Sequence, residues 1–153
     1  MKYEITIENI EQTYDELEPL YRQHYSEMVD RMMDAGVVLS PYNPRLDEYF
    51  KAGNLGYLLT FVLRYKGQAV GYCNIYLTND MHNQDLISTE DTIYVVPEHR
   101  RGAGRLLSQR VHDELRSREV KRLSVTTSTD LRVKSWLERQ GYKHTAHHMT
   151  ITF

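Results

Sequence analysis

The stretch that most constrains how this chain can fold is Thr92–Leu107, which reads TIYVVPEHRRGAGRLL. Its first part, Ile93–Val96, is apolar and rich in β-branched residues, which predicts a buried strand end, and a proline then stops the strand. The turn that follows is basic and contains two glycines. Beyond the turn, apolar side chains recur every fourth position, at Leu107, Val111 and Leu115. This spacing predicts a helix with one apolar face.

A strand, a basic turn of small residues and a helix, in that order, favour the binding of an anion. The first N–H groups of the helix lack intrahelical partners and face whatever occupies the turn. Glycine lets the backbone come close to a ligand, and arginines add charge-assisted hydrogen bonds to phosphate oxygens. An ordinary strand-to-helix loop with a solvated basic face has the same pattern. Neither the Walker pattern nor the full dinucleotide fingerprint is present.

Length and composition predict one globular domain over residues 1–153. A chain of 153 residues can bury a hydrophobic core, and 41% hydrophobic with 26% charged residues is ordinary for a soluble domain. No apolar run approaches the roughly 20 residues that span a bilayer, and the first residues lack the apolar run of a signal peptide. The one cysteine, Cys73, has no partner for an internal disulfide, so we expect a cytoplasmic protein.

Hydrophobic patterns place strands and helices along the rest of the chain. The predicted strands are Tyr3–Ile7, Tyr57–Tyr65, Ala69–Leu77, Ile87–Val96, Leu123–Thr127 and Met149–Phe153. A short turn with a glycine joins the second and third strands, which predicts a hairpin. The predicted helices run from Thr13, as N-cap, to Met28 or beyond, from Leu46 to Gly53, from Gly102 to about Arg118 and from Leu131 to Gln140. In the last helix, Val133, Trp136 and Leu137 are predicted to face inward.

The segment V-x-P-E-x-R, followed by small residues and a helix, resembles the pyrophosphate-binding segment of the GNAT superfamily of acyl-CoA-dependent N-acetyltransferases. The segment WLERQGY resembles the W/F-x-E-x-x-G-Y/F signature near the other end of that family. The resemblance implies a mixed α/β (α+β) fold, with a twisted, mostly antiparallel sheet of six to seven strands. It also implies a splayed parallel strand pair and helices on both faces. The short loop resembles a subgroup common in phages.

The resemblance implies acetyl-CoA as cosubstrate. The pantetheine would pair with the backbone of Ile93, Val95 and Val96, and the N–H of Val95 or its neighbour would act on the thioester oxygen. The residues that would hold the pyrophosphate are Arg100, Arg101, Gly102, Ala103, Gly104 and Arg105. Two alignments of the loop stay open. Either His99 takes its first position, or Arg100 does and the loop is one residue short.

Two adjacent carboxylates are candidates for the catalytic base. Strand alternation places Asp91 on the face of Ile93 and Val95, with Glu90 on the other face. A β-bulge, which members of the family commonly have here, would exchange these positions. The alternative is that one carboxylate pairs with a nearby arginine and the other is solvated.

The general acid is less clear from the sequence. Many relatives have a tyrosine immediately before the glutamate of W-x-E, and this chain has Leu137 there. Ser128, Ser135, Thr127 and an ordered water stay open as donors, as does departure of the thiolate without a proton. We include Ser128 with Asp91 and Glu90 among the candidate catalytic residues.

Acidic residues near the candidate site favour a cationic amine acceptor by electrostatic focusing, although a polar surface loop would look the same. They are Asp80, Asp85, Glu90 and Asp91, with His82 among them. The adjacent histidines His147 and His148 would point to opposite faces of a strand, so no metal site is predicted.

The leading interpretation is an N-acetyltransferase in which a primary amine attacks acetyl-CoA directly in a ternary complex. The acceptor is a small-molecule or protein amine, no membrane is involved, and association into a homodimer stays open. One alternative is a non-catalytic acyl-CoA-binding module. Another is a nucleic-acid binder that uses Arg100, Arg101, Arg105 and Arg110, which the net charge of −2 disfavours.

Overall fold

The computed structural model describes residues 2–127 and 131–153, in which five strands and four α-helices are found. The strands are β1 (Tyr3–Glu8), β2 (Leu58–Tyr65), β3 (Gln68–Asn79), β4 (Leu86–Val95) and β5 (Arg122–Ser124). The helices are α1 (Ile10–Asp34), α2 (Leu46–Leu55), α3 (Ala103–Ser117) and α4 (Leu131–Arg139), and a short 3-10 helix covers Pro97–His99. None of the described helices is long and apolar enough to cross a membrane.

The strands form one sheet in chain order, antiparallel except for the parallel pair β4 and β5. The predicted hairpin between β2 and β3 is confirmed. Tyr65 pairs with Gln68, so Lys66 and Gly67 alone form its loop, and both have positive φ, 51° and 81°. Two such residues make the turn whose twist matches that of the flanking strands. The helix α3 connects the parallel pair, as such a crossover requires.

The sheet separates two cores, because alternate side chains of each strand point to opposite faces. On β2, Phe61 and Leu63 pack towards Leu107 and Val111 of α3. The intervening Val62 packs on the other face, with the apolar sides of α1 and α2. The predicted mixed α+β class, with helices on both faces of a twisted sheet, is therefore confirmed.

The first helix begins three residues earlier than the predicted capping residue. Asn9 is the N-cap, and its side-chain oxygen accepts hydrogen bonds from the N–H groups of Glu11 and Gln12 at 3.0 and 3.3 Å. Thr13 lies inside the helix, where its hydroxyl donates to the Asn9 carbonyl. The prediction of Thr13 as N-cap is wrong because asparagine is an equally good cap and stands first in the chain.

The predicted fold differs most from the structure in its C-terminal part. The strand predicted over Leu123–Thr127 is shorter, Arg122–Ser124, and the closing strand predicted over Met149–Phe153 is not formed. The sheet therefore has five strands in the described residues rather than six or seven. A strand is defined by pairing with a neighbour, and alternation of apolar residues does not supply that neighbour.

The inward face predicted for α4 is confirmed only in part. Leu137 is buried and Trp136 is half-buried, but Val133 is 40% exposed. Gly141 has φ of 96°, as expected for a residue that ends a helix in the left-handed conformation. Apolar spacing thus predicted the helix, but it did not predict which turns of the helix are covered.

We expect Asn9→Ala to lower the free energy of unfolding by about 1 kcal/mol, because two N–H groups of α1 lose their acceptor. Thr13→Ala is the matched control and should change it by no more than a few tenths of a kcal/mol, since alanine is a good helix former. Urea denaturation of both variants measures the difference. An equal loss in the two variants would contradict the placement of the cap.

Candidate active site

The strand β4 carries a β-bulge where Glu90 and Asp91 lie. Asn74 of β3 pairs with Thr92 and the next residue, Ile75, pairs with Glu90, so Asp91 is the extra residue of β4. A bulge shifts the side chains on one side of it by one position relative to simple alternation. The faces to which side chains point after the bulge therefore cannot be obtained by simple alternation from the residues before it.

Because of the bulge, Asp91 does not share the face of Ile93 and Val95. The placement by simple alternation is wrong, and the exchange of positions predicted for a bulge is confirmed. Its carboxylate accepts a hydrogen bond from the Tyr49 hydroxyl of α2 at 2.8 Å, whereas Ile93 and Val95 pack on the side of α3. Asp91 lies at the surface of the protein. Partial loss of hydration raises the pKa of its carboxyl group, and the bond from Tyr49 opposes this.

Glu90 lies nearer than Asp91 to the groups on the α3 side of the sheet, and the pKa of its carboxyl group is more strongly perturbed. Loss of hydration, with the charge of Asp91 as the smaller cause, raises the pKa of its carboxyl group to about 7. The charge of Glu90 in turn adds to burial in raising the pKa values of Cys73 and Tyr142. A carboxyl group with a pKa near neutrality is suited to accept and release protons under physiological conditions.

The parallel strands separate next to this carboxylate. The pairing of β4 with β5 ends at Thr89 and Ser124, and within the described residues the edge of β4 from Glu90 onward has no strand partner on that side. At the far end of this edge, the N–H of Val96 donates to the carbonyl of Val70 at 2.9 Å, and its own carbonyl accepts from His99. Val96 has therefore no free backbone group for a ligand, unlike the expectation.

The turn after β4 leads into the N-terminus of α3. Gly102, just before the helix, has φ of 93°, a conformation that favours glycine, and in the described chain no side chain caps this helix end. A Cβ atom added at Gly104 would meet no other atom within 4 Å, so the backbone there faces open space. Arg101 and Arg105 are exposed and form no ion pair with a described residue. These features suit a phosphate group.

His99 and Arg100, the two candidates for the first position of the loop, are held differently. The Nδ1 atom of His99 lies 2.8 Å from the Tyr3 hydroxyl, and its ring contacts Tyr65, so His99 faces β1 and β2. The Nε of Arg100 donates to the carbonyl of Val95 at 2.8 Å. Arg100, unlike His99, is therefore bonded to the end of β4.

Arg100 is also bound to α1 through a residue that sequence reasoning missed. One terminal nitrogen donates to both carboxylate oxygens of Glu27, each at 2.9 Å, and the Tyr94 hydroxyl donates to Glu27 at 3.0 Å. The guanidinium carbon lies 5.3 Å from the centre of the Tyr94 ring. No sequence signal identifies Glu27, because it is separated from Arg100 by 73 positions.

His24 of α1 is buried behind this group. Its Nδ1 atom lies 2.8 Å from the Tyr72 hydroxyl, and its ring stacks on Tyr94 with centres 4.9 Å apart. Burial lowers the pKa of His24 to about 4, with the charge of Arg31 as a smaller cause. His24 is therefore neutral at pH 7 and serves the packing of α1 against β4.

An open cavity of about 480 Å³ lies between the turn and α4, lined by Arg100, Arg132, Val133 and Trp136. The partly exposed apolar side chains of Val133 and Trp136 form one wall, and the arginines supply positive charge. An elongated ligand with an anionic end and an apolar stem would fit such a surface.

The structure describes some of the candidate general acids but not all of them. Leu137 is buried, Ser135 is exposed, and Ser128 lies outside the described residues. Sequence reasoning missed Tyr142, whose hydroxyl lies 2.6 Å from the Nε2 atom of His112 on α3. Its only signal was its place as the last residue of WLERQGY. Burial and the charge of Glu90 raise the pKa of Tyr142, so it is a hydrogen-bond donor rather than an acid near neutral pH.

The acidic residues of the β3–β4 loop do not belong to the site. Asp80 pairs with Arg122 and accepts a hydrogen bond from the N–H of His82. The loop adjoins Leu86, and four residues of extended strand, about 13 Å, separate Leu86 from Glu90. Of these four carboxylates, Glu90 and Asp91 are the two at the separation of the described strands. Among the described residues, no group of three His, Cys, Asp or Glu side chains is arranged to hold a metal ion.

Comparison with known proteins shows which family this chain resembles in sequence and which solved structures it resembles in fold. A sequence model of the Acetyltransferase (GNAT) family matches residues 10–142, and no curated protein shows a significant match. The ribosomal-protein-alanine N-acetyltransferase of Brucella melitensis biovar Abortus 2308 is 16% identical, with a TM-score of 0.75 and coverage of 100% of each chain.

Two further solved structures share the fold. A mutant of the BH1408 protein of Bacillus halodurans is 16% identical, with a TM-score of 0.81 over 98% of this chain and 99% of its own. AAC(6')-Iy, in complex with the bisubstrate analogue CoA-S-monomethyl-acetylneamine, is 17% identical, with a TM-score of 0.69 over 100% and 99%. At these identities the likeness shows the fold, whereas the family model covers most of the sequence. The chain belongs to the GNAT family of acetyltransferases.

Proposed function

We propose that this protein transfers the acetyl group of acetyl-CoA to a primary amine, by direct attack in a ternary complex. The observation that carries the proposal is the position of Glu90. This carboxyl group, with a pKa of about 7, lies at the residue where β4 loses its parallel partner. A proton acceptor is thereby placed beside an unpaired strand edge, and the same strand leads directly into an uncapped helix N-terminus.

The unpaired edge of β4 and the start of α3 fit the two parts of acetyl-CoA. The backbone of Ile93 would pair with the pantetheine, and the N–H of Val95 would bind a pantetheine carbonyl or the thioester oxygen. The Val95 carbonyl is not available, because it accepts from Arg100. The backbone N–H groups at the start of α3, with the side chains of Arg101 and Arg105, would bind the pyrophosphate. The free space over Gly104 supports this placement. Val96 is left out because its backbone groups are already bonded.

In the reaction, the amine nitrogen would attack the acetyl carbonyl carbon, and the carbon–sulfur bond would then break. The proton lost by the amine would pass to Glu90, directly or through water. An amine is a stronger base than an ordinary carboxylate, and the raised pKa of Glu90 reduces this difference. The thiolate would leave unprotonated or take a proton from water, since Tyr142 is a poor acid. The Tyr142 hydroxyl is nonetheless held in place by its hydrogen bond with Nε2 of His112.

The burial of Cys73 supports direct attack over an acyl-cysteine route. Its side chain is 1% exposed, and burial raises the pKa of the thiol well above its ordinary value. A thiol must ionise and reach the thioester to be acylated. Cys73 does neither in this fold.

Asp91 would bind the incoming ammonium group, because it is an exposed carboxylate whose one described hydrogen bond comes from the neutral Tyr49 hydroxyl of α2. We therefore propose a cationic amine, carried by a small molecule or a protein, as the acceptor. We also propose a cytoplasmic location. Because the loop is short, we also propose that the protein belongs to the phage-like subgroup.

The nucleic-acid alternative is weakened by the partners of the arginines. Arg100 is paired with Glu27, and Arg110 is paired with Glu114 on the same helix. A surface that binds a polyanion keeps its cations available to phosphate groups. Arg101 and Arg105 alone make a small patch, which suits one pyrophosphate better than a nucleic-acid backbone.

We expect acetyl-CoA to raise the melting temperature of the protein, and Gly104→Asp to reduce its affinity at least tenfold by placing a carboxylate at the phosphate site. Gly104→Ala is the matched control, since it adds a methyl group without charge where no atom lies within 4 Å. Both variants should fold, because alanine and an N-terminal aspartate favour a helix. Calorimetric titration with acetyl-CoA measures the affinities. Equal affinity in the Asp and Ala variants would contradict the site.

We expect Glu90→Gln to lower turnover on a panel of polyamine, aminoglycoside and peptide amines by about 100-fold at pH 7, with unchanged affinity for acetyl-CoA. The wild-type rate should rise as Glu90 loses its proton near pH 7, and the variant should lack this rise. At higher pH the rate of the variant should partly recover, because more of the amine is neutral. Asp91→Asn should instead raise KM for the amine. A wild-type rate profile in Glu90→Gln would exclude Glu90 as the base.

The raised pKa of Glu90 also predicts how stability depends on pH. Between the ordinary value of 4.5 and about 7 the folded state holds more protons than the unfolded state, so stability falls as pH rises through this window. We expect Glu90→Gln to be more stable than wild type at pH 8, on the order of 1–3 kcal/mol, and to lose this advantage at pH 4. Glu4→Gln, on the exposed side of β1, removes the same charge at an exposed position and is the matched control. Urea denaturation at both pH values measures it.

A further inference from the structure

Two buried polar atoms on the α1 side of the sheet have no hydrogen-bond partner within the described residues. They are the Oγ1 atom of Thr60 on β2 and the Oδ1 atom of Asn74 on β3. The two residues are 1% and 0% exposed, so bulk solvent does not reach either atom. A buried hydroxyl or amide without a partner costs free energy, and such groups are normally bonded to protein or to an ordered water.

These two atoms belong to side chains that lie side by side. Thr60 and Asn74 are paired directly across the antiparallel strands β2 and β3, which places their Cβ atoms about 5 Å apart on one face of the sheet. Val62 and Tyr72, also on this face, pack towards α1 and α2. A hydroxyl group can donate and an amide oxygen accepts, yet no hydrogen bond joins the two. One water molecule, which both donates and accepts, fits between them.

A third polar group, the hydroxyl of Tyr21 on α1, lies beside the same amide. Its oxygen accepts a hydrogen bond from Nδ2 of Asn74 at 2.8 Å. Burial raises the pKa of Tyr21, so the hydroxyl keeps its proton, and no described residue accepts that hydrogen. An internal water molecule typically makes about three hydrogen bonds. Thr60, Asn74 and Tyr21 offer that number.

We propose that one internal water molecule binds between Thr60 and Asn74 and is shared with the Tyr21 hydroxyl. The water donates to the amide oxygen of Asn74 and accepts from the hydroxyl groups of Thr60 and Tyr21. All three side chains are thereby satisfied. The proposal concerns the interior of the folded chain and does not depend on the proposed function.

A neutral ligand is favoured over an ion at this position. None of the three groups is charged, and a buried ion without a counter-charge is costly. The bound water also has a structural consequence near the candidate site. Asn74 pairs with Thr92 at the point where the register of β4 shifts, and its Nδ2 atom lies 3.5 Å from the Thr92 hydroxyl. The water therefore ties α1 and β2 to the residue of β3 next to the bulge.

The effect of Thr60→Val on the melting temperature tests the proposal by its sign. Valine has the shape of threonine without the hydroxyl group, so the water would lose a partner, and we expect the melting temperature to fall by about 2–4 °C. If no water bound the hydroxyl, removal of an unpaired buried polar group would instead raise the melting temperature. Thr78→Val, the same change at an exposed position of β3, is the matched control and should have little effect. A melting temperature that rises or stays unchanged in Thr60→Val would overturn the proposal.

A high-resolution crystal structure of the wild type distinguishes a water bridge from a direct bond. It should show one ordered water within hydrogen-bond distance of both Oγ1 of Thr60 and Oδ1 of Asn74. A direct hydrogen bond between the two side chains with no water between them would also make Thr60→Val less stable. That arrangement, or a site with neither a bond nor a water, would overturn the proposal. Neither measurement uses acetyl transfer, so failure of the proposed function would leave both results unaffected.

Discussion

The loss of the parallel partner of β4, combined with one extra residue at nearly the same place, is the constraint on which the rest of the site depends. Pairing with β5 ends at Thr89, and the bulge at Asp91 follows two residues later. The first leaves a strand edge whose backbone groups need partners. The second separates two neighbouring carboxylates, so that Glu90 is desolvated near Tyr142 while Asp91 contacts Tyr49 of α2. Opposite environments give the two groups different chemistry.

The long helix α1 supports this arrangement from the other face of the sheet. Glu27 binds both Arg100 and Tyr94, and the neutral His24 stacks on Tyr94. These contacts fix the end of β4 and the start of the turn relative to α1. Arg100 is consequently held in place before any ligand arrives.

Local chemistry predicted those elements whose partners lie close in sequence. The hairpin of β2 and β3 needs only Lys66 and Gly67, and the apolar spacing of α3 is visible within one helix. Asn9 was missed as the cap of α1 because several residues near it can cap equally well. The closing strand at Met149–Phe153 was wrong because its pattern specifies one half of a pair. Nothing local supplies the other half.

The sequence by itself determined the fold class, the family and the position of the turn between β4 and α3, because short segments carry the residues that require them. The tertiary structure decided which carboxylate is desolvated, where Arg100 finds its partner, and which helix turns are covered. Alternation predicted Asp91 on the wrong face, since a bulge depends on the register of β3 against β4. The pKa of Glu90 and its nearness to Tyr142 depend on neighbours that are distant in sequence and meet only when the chain is folded.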